Sequence, residues 1–356
     1  MDIFREIIQE SHEQVMLCHD APSGLKAIVV LHDTRSGPAL GGCRMKRYGS
    51  EEEALRDAMR LAKGMTYKNA AYRLPYGGGK AVVWQDDGDP WKAGETDEAA
   101  RTRLFQALGT QIERLGGRYV AGLDLGTTIR DMDAIRTRTK HVTDTTGTIM
   151  ATDEFTAEMT AYGVYLAMRA AVKREMNLPT LHDLKVLVQG LGKVGRRLCR
   201  YLYEDGARLL VSDLNPKAEA EAIRLFGAKR VRTEHVAGTA CDIYAPCAAG
   251  GVLDDRTIPR LKCRMVVGAA NNQLLMERHG ELLHERGILY APDFIVNAGG
   301  IIITAGELQG LGKARLKRNV EAVGQTLLDV LDLAEERGIP ASEAALRLAE
   351  ERLSGG

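Results

Sequence analysis

One stretch limits the folds open to this chain more than any other. Residues 184–215, LKVLVQGLGKVGRRLCRYLYEDGARLLVSDLN, read as an apolar strand, a glycine turn, a helix and a second strand ending in an acid. Gly190, Gly192 and Gly195 form G-x-G-x-x-G, with Lys193 and Val194 between the last two glycines. In this setting each part has a mechanical purpose. Gly190 permits the tight turn, Gly192 lets the backbone approach a pyrophosphate, and Gly195 lets helix and sheet pack closely. The phosphates then lie at a helix N-terminus, where amides and the helix dipole favour anions. Asp213 falls at the ~20-residue distance expected of an acid that accepts from a ribose 2′-hydroxyl. A carboxylate there repels a 2′-phosphate, so the pattern predicts NAD rather than NADP.

A chain of 356 residues holds roughly two domains of about 150 residues each. Lysine plus arginine equals aspartate plus glutamate at 48 each, so no basic excess points to nucleic acid. Six scattered cysteines without a C-x-x-C pair fit reduced thiols rather than a disulfide framework. The histidines show no metal spacing, and no metal is expected. The start, MDIFREIIQE, reads as an amphipathic helix rather than a signal peptide, and no apolar run is long enough for a bilayer. The expectation is a cytoplasmic protein without membrane partners.

The first half reads as strand 26–33, then a helix capped by Ser50 and Glu53 that ends near 64–66. A short strand at 81–84, a polar loop at 85–99, a helix at about 100–115, a strand at 118–124 and a helix from Arg130 follow. After about residue 150 come a helix at 157–174, the glycine-turn unit, and further strand–loop alternation through 266–271 and 287–300. One long helix at about 313–337 and a last helix capped by Ser342 complete the pattern. The expected fold class is α/β in two domains, 1–150 and 151–330, the second of Rossmann type.

Glycine-rich segments of the first half concentrate polar groups: GPALGGCRM (37–45), GMTYKNA (64–70), LPYGGGKAVV (74–83) and AGLDLGTT (121–128). GGGK is no phosphate loop, because Ala81 follows Lys80 and Pro75 stands where the first glycine belongs. Lys68, Lys80 and Asp124 remain as candidates for chemistry. Two lysines in one cleft disfavour each other's charge, which lets one act as a base while the other holds a carboxylate. The ordinary alternative is that both are solvated surface lysines.

These segments, with TAYGV (160–164), QGLGKVG, APCAAGG (245–251), GAANNQL (268–274) and YAPDFIVNAGG (290–300), resemble in order the Glu/Leu/Phe/Val dehydrogenase family across nearly the whole chain. The resemblance implies oxidative deamination of an L-amino acid to a 2-oxo acid and ammonia. It implies that Lys68 pairs with the α-carboxylate, that Lys80 is a low-pKa lysine activating water, and that Asp124 exchanges protons with the amine. Gly41, Gly42 and Met65 would line the substrate, and Thr160 and Asn271 would meet the nicotinamide end or the substrate amine. Cys247, Ala248 and Asn297 would complete the NAD site. Leu40 stands where glutamate-specific members resemble G-P-x-K-G-G, so an apolar side chain is expected and glutamate is disfavoured. Gly122 in place of alanine leans towards phenylalanine or another aromatic, while the bulk of Ile301 leans towards leucine or valine. The segment TGTIMATDEFTAEM (146–159), with Asp153, Glu154 and Glu158, departs from the family's usual loop. That departure keeps a second reading open, an NAD-binding paralogue with altered or no chemistry. A homo-oligomer, dimer or octamer, is also implied, with 1–150 as the substrate-binding and oligomerisation domain, a cleft between it and 151–330, and helices of 331–356 packing back on the first domain.

Overall fold

The computed structural model describes residues 3–85, 98–149 and 153–355. The chain divides into two compact units, 1–152 with 307–310 and 352–356, and 153–306 with 311–351. The two sheets, one in each unit, agree with the expected two-part α/β class.

The first unit is built from α1 (Ile3–Gln9), β1 (Gln14–Asp20), β2 (Leu25–Asp33), β3 (Ala39–Arg47), α2 (Glu51–Ala71), β4 (Gly77–Gln85), α3 (Glu98–Glu113), β5 (Tyr119–Leu123) and α4 (Ile129–Arg136). Its sheet runs β1-β2-β4-β3-β5. β4 pairs antiparallel with β2 and parallel with β3, which also pairs parallel with β5. Alternation along the strands sorts the core into two layers. Ala81 and Val83 pack with Phe105, Leu108 and Ile135, whereas Val82 packs with Ala54, Ala58 and Ala62 of α2. Ser50 caps α2 as expected, its hydroxyl accepting from the Glu53 amide at 3.1 Å.

Two expected boundaries here are wrong. α2 does not stop at 64–66 but runs to Ala71, carrying Lys68 in its last turn. Packing of this turn on β4 outweighs the cost of Gly64 inside a helix. The strand expected at 81–84 begins at Gly77, so the glycines and Lys80 belong to β4 itself. Most of the polar loop expected at 85–99 lies outside the described residues.

The second unit comprises α5 (Asp153–Met176), β6 (Lys185–Gln189), α6 (Lys193–Glu204), β7 (Arg208–Ser212), α7 (Pro216–Phe226), β8 (Lys229–Arg230), β9 (Ile243–Pro246), β10 (Met265–Val266), α8 (Arg278–Glu285), β11 (Leu289–Tyr290), α9 (Asp293–Val296), α10 (Gly299–Leu308), α11 (Lys313–Val320), α12 (Ala322–Arg337) and α13 (Ala341–Ser354). Its six strands are all parallel in the order β11-β10-β9-β6-β7-β8. The chain proceeds from β6 to one side and then returns to β9 on the other. The switch between β6 and β9 is where such sheets bind ligands at their carboxyl ends.

The structure corrects three expectations in this half. The atypical segment from 153 onward is the start of α5, not a loop, and Glu158 pairs there with Arg197 and Arg200 of α6 and accepts from Tyr201. The long helix 313–337 divides at Glu321 into α11 and α12. Ser342 lies inside α13, which begins at Ala341. α12 and most of α13 group with the second, and 352–356 group with the first, where Arg352 donates to the Ala71 carbonyl.

Candidate active site

Lys80 sits on β4 at 4% exposure. Its Nζ lies 2.7 Å from Asp124 Oδ2, just beyond the end of β5. Arg44 of β3 donates its Nε to the same oxygen at 2.9 Å. Burial pulls the Asp124 carboxyl upward, but the Lys80 ammonium and Arg44 guanidinium prevail and hold it at about 2. Asp124 is therefore ionised throughout the ordinary pH range. Arg44 also donates to Asp57 at 3.0 Å, and the Tyr48 hydroxyl donates to Asp57 at 2.7 Å. Thr127 fixes the turn after the acid, its hydroxyl accepting from the Asp124 amide at 3.1 Å and reaching the Cys43 carbonyl at 2.9 Å.

The glycines make this packing possible. A Cβ on Gly42 would lie 2.7 Å from Asp124 Cβ and 3.1 Å from Lys80 Nζ. One on Gly41 would overlap the Gly79 carbonyl and lie 3.3 Å from Met65 Cγ. The run 77–79 is not open space either. The side chains it omits would strike the fold: Asp33 at Gly77, Thr66 at Gly78, and Val30, Ala39 and Tyr119 around Gly79. Leu40 is buried at 1% exposure. Lys68, half-buried, follows Met65 by three residues on α2 and so shares its face.

Gly122 gives a different result from the one expected. The space left by its missing methyl is not open pocket. A Cβ there would lie 2.6 Å from Asp144 Oδ2 and 3.0 Å from Thr143 Cγ2. The carboxylate of Asp144 fills the volume, so Gly122 by itself does not argue for a larger substrate.

In the second unit the glycine turn carries the expected geometry. Gly190 adopts φ 100°, a conformation that disfavours side chains. A Cβ on it would lie 2.7 Å from Ala248 Cβ and 2.9 Å from the Cys247 carbonyl carbon. A Cβ on Gly195 would overlap the Gly190 carbonyl. Gly192 is the N-cap of α6, and a Cβ there would meet nothing within 4 Å. Lys193 and Val194 open the helix beside this space. Asp213 follows β7, its oxygens accepting from the Leu191 amide at 2.5 Å and the Asn215 amide at 2.7 Å. Glu219, 3% exposed, accepts from the Asp213 amide at 3.1 Å and pairs with Arg230 at 2.7 Å. A dinucleotide fits this donor set: open space at the helix start and a fixed carboxylate at the end of the next strand.

The remaining expected residues gather at the same carboxyl edge of the sheet. Asn297 donates to Asn271 Oδ1 at 2.7 Å and to the Ala269 carbonyl at 3.1 Å. A Cβ on Gly250 would lie 2.6 Å from the Asn271 carbonyl, joining the 245–251 and 268–272 segments. Thr160 of α5 lies against Gly299 and Gly300, and Ile301 follows them on α10.

Sequence reasoning missed Arg44, Asp57 and Asp144. Arg44 had a signal, since it stands two residues after Gly42 and so projects to the same strand face. Asp144 had none, because β5 and the 142–144 segment meet only through the tertiary fold.

A buried lysine paired with a half-buried carboxylate in one unit, and a dinucleotide-type turn on the parallel sheet of the other, define a dehydrogenase class of protein. Residues 12–141 match the family described as Glu/Leu/Phe/Val dehydrogenase, dimerisation domain, and residues 153–215 and 213–349 match Glutamate/Leucine/Phenylalanine/Valine dehydrogenase. The chain belongs to this family and is an amino-acid dehydrogenase, an oxidoreductase. It is 46% identical over 353 residues to a leucine dehydrogenase of Geobacillus stearothermophilus, covering 99% of this chain and 94% of that one. It is 43% identical over 347 residues to a phenylalanine dehydrogenase of Caldalkalibacillus thermarum, covering 96% and 91%. The crystal structure of L-tryptophan dehydrogenase from Nostoc punctiforme superposes with a TM-score of 0.85 at 39% identity, covering 99% of each chain. These relatives are named for hydrophobic amino acids. Among the described residues no helix is long and apolar enough to cross a membrane.

Proposed function

We propose that this chain catalyses NAD-dependent oxidative deamination of a hydrophobic L-amino acid, giving the 2-oxo acid and ammonia. The observation that carries the reading is the ion pair of 2.7 Å between Lys80 and Asp124, reinforced by Arg44. A module that only bound NAD would not need two cations converging on one half-buried carboxylate. Such an arrangement costs desolvation and is kept where charge must be handled.

Lys68 holds the α-carboxylate as a point charge from the last turn of α2. Lys80 polarises the reacting carbon's oxygen and hands a proton to or from water at that carbon. Asp124, kept ionised by its two cations, takes protons from the substrate amine and favours the positive charge that develops there. Arg44 does not touch the substrate in this scheme; it fixes where Asp124 points. Bound NAD supplies the acceptor for the hydride leaving the α-carbon. Gly190, Gly192 and Gly195 seat the pyrophosphate, Asp213 holds the ribose, and Asn271, Asn297 and Thr160 belong to the nicotinamide end. Buried Leu40 leaves a side-chain carboxylate without a cation, which supports an apolar substrate over glutamate. The match to a dimerisation domain supports a homo-oligomer.

The direct test follows reduced nicotinamide by absorbance with leucine, valine, phenylalanine, tryptophan and glutamate. Turnover of the apolar members with NAD is expected. Absence of turnover on all of them would refute the reading. Asp213→Ala is expected to lower the preference for NAD over NADP by roughly tenfold to a hundredfold, since a bond to a charged acceptor and a repulsion are lost together. An unchanged preference would remove Asp213 from the ribose site.

A further inference from the structure

The second carboxylate near the pair has no place in the scheme above. Asp144 is 5% exposed and adopts φ 60°, in the left-handed region that disfavours a side chain. Its Oδ2 accepts from the Leu123 amide at 2.6 Å, one residue before Asp124. Its Oδ1 is buried and has no hydrogen-bond partner among the described residues.

The register of the sheet says which way this carboxylate faces. Gly42 of β3 is paired with Gly122 of β5. Registered residues of neighbouring strands project to the same face. The Gly42 side of the sheet holds Asp124 Cβ and Lys80 Nζ, and the Gly122 side holds the Asp144 carboxylate. Asp144 therefore shares a face with the reacting pair, about one strand spacing, ~4.8 Å, further across the sheet. A buried carboxylate oxygen without a donor is costly, and native structures almost always supply one.

We propose that Asp144 forms a polar end to the side-chain pocket and selects amino acids whose apolar side chain carries one hydrogen-bond donor, such as an indole N–H or a phenol O–H. The proposal rests on the reading that the amino acid binds beside Lys68 and Lys80. Such a donor bonds the carboxylate from the face it shares with Lys80, while the Leu123 amide keeps its hold on Oδ2. A purely aliphatic or phenyl side chain covers the carboxylate without supplying a bond. Burial raises the Asp144 carboxyl to about 6, the Leu123 amide opposing and Glu307 adding to the rise. Above pH 7 it is chiefly an ionised acceptor.

The test compares kcat/KM within matched pairs, tryptophan against 1-methyltryptophan and tyrosine against phenylalanine, in wild type, Asp144→Gly and Asp144→Asn. Glycine and asparagine both tolerate the left-handed conformation, so both variants are expected to fold, and thermal unfolding checks this. In wild type the donor-bearing member of at least one pair is expected to lead by roughly tenfold or more, as sites built to accept a bond reject analogues lacking it. In Asp144→Gly that ratio should fall to within about twofold, and Asp144→Asn, which keeps a neutral acceptor, should lie between. General loosening of the fold would lower both members of a pair and leave the ratio unchanged. No preference in wild type, or a preference that survives in Asp144→Gly, overturns the proposal while the dehydrogenase reading stands. If wild type oxidises none of the four, that reading falls and takes this one with it.

Discussion

Lys80→Ala is expected to bind NAD normally and to lose turnover by a factor on the order of 10²–10⁴, the range for removing a positioned acid–base group. The side chain is 4% exposed, and its ammonium is 2.7 Å from Asp124. Removing it takes away the proton carrier and one of the two cations that hold Asp124. Arg44 alone then opposes the burial of the carboxylate, so the Asp124 carboxyl should rise from about 2. A depressed carboxyl stabilises the fold above its unfolded value near 4 and loses that contribution as pH falls through its folded value. Wild type should therefore keep this contribution to more acid pH than the variant. Lys80→Met separates chemistry from packing, because it retains most of the buried stem. Its turnover should be as low as that of Lys80→Ala, with an unfolding temperature nearer wild type. Turnover within tenfold of wild type in either variant, measured in single-turnover mixing with NAD binding followed separately, would remove Lys80 from the reaction.

Gly78→Ala is the second large effect. The added methyl would overlap the backbone nitrogen and hydroxyl of Thr66 on α2. Thr66 is 1% exposed and its hydroxyl is 2.8 Å from His32 Nδ1, so it has no easy retreat. α2 must shift from the sheet, at a cost of about 1–3 kcal/mol or more. Met65 and Lys68 ride on the same turn. The variant should thus show both a lower denaturation midpoint and a raised KM for the amino acid. Gly64→Ala on the same helix is the contrast. A Cβ there meets nothing within 4 Å, and alanine suits a helix interior better than glycine by about 0.5–1 kcal/mol. It should stabilise the protein slightly. Equal midpoints for the two variants in urea titration would contradict the crowding seen at Gly78.

The two halves differed in how much of this was legible. The strand–turn–helix–strand of 184–215 is local, with its signals contiguous along the chain, and β6, α6 and β7 appear where they were read. In the first half glycines misled. Gly64 reads as a helix stop and 77–79 as lying before the strand, yet tertiary packing makes the first helical and the others strand. Lys68, Lys80 and Asp124 were visible as residues but gained roles only through resemblance. Spacing alone fits solvated surface lysines better for Lys68 and Lys80. The contact between Gly122 and Asp144 was invisible for a different reason. It arises where the 142–144 segment runs alongside β5, through the bridge from Ala121 to Val142, and no periodicity announces a bridge of that kind. Without it Gly122 reads as open pocket where the Asp144 carboxylate sits.

Lys80 occupies the third of five strands, laced to β2 on one side and β3 on the other. Strands so flanked are the last part of a domain to come apart. The reacting ammonium is thus borne by the most durable stretch of its unit rather than by a loop that frays first. Heat or denaturant cannot silence the lysine by local melting; it must dismantle the whole ladder, so the lysine's placement and the integrity of that sheet should be lost in a single event.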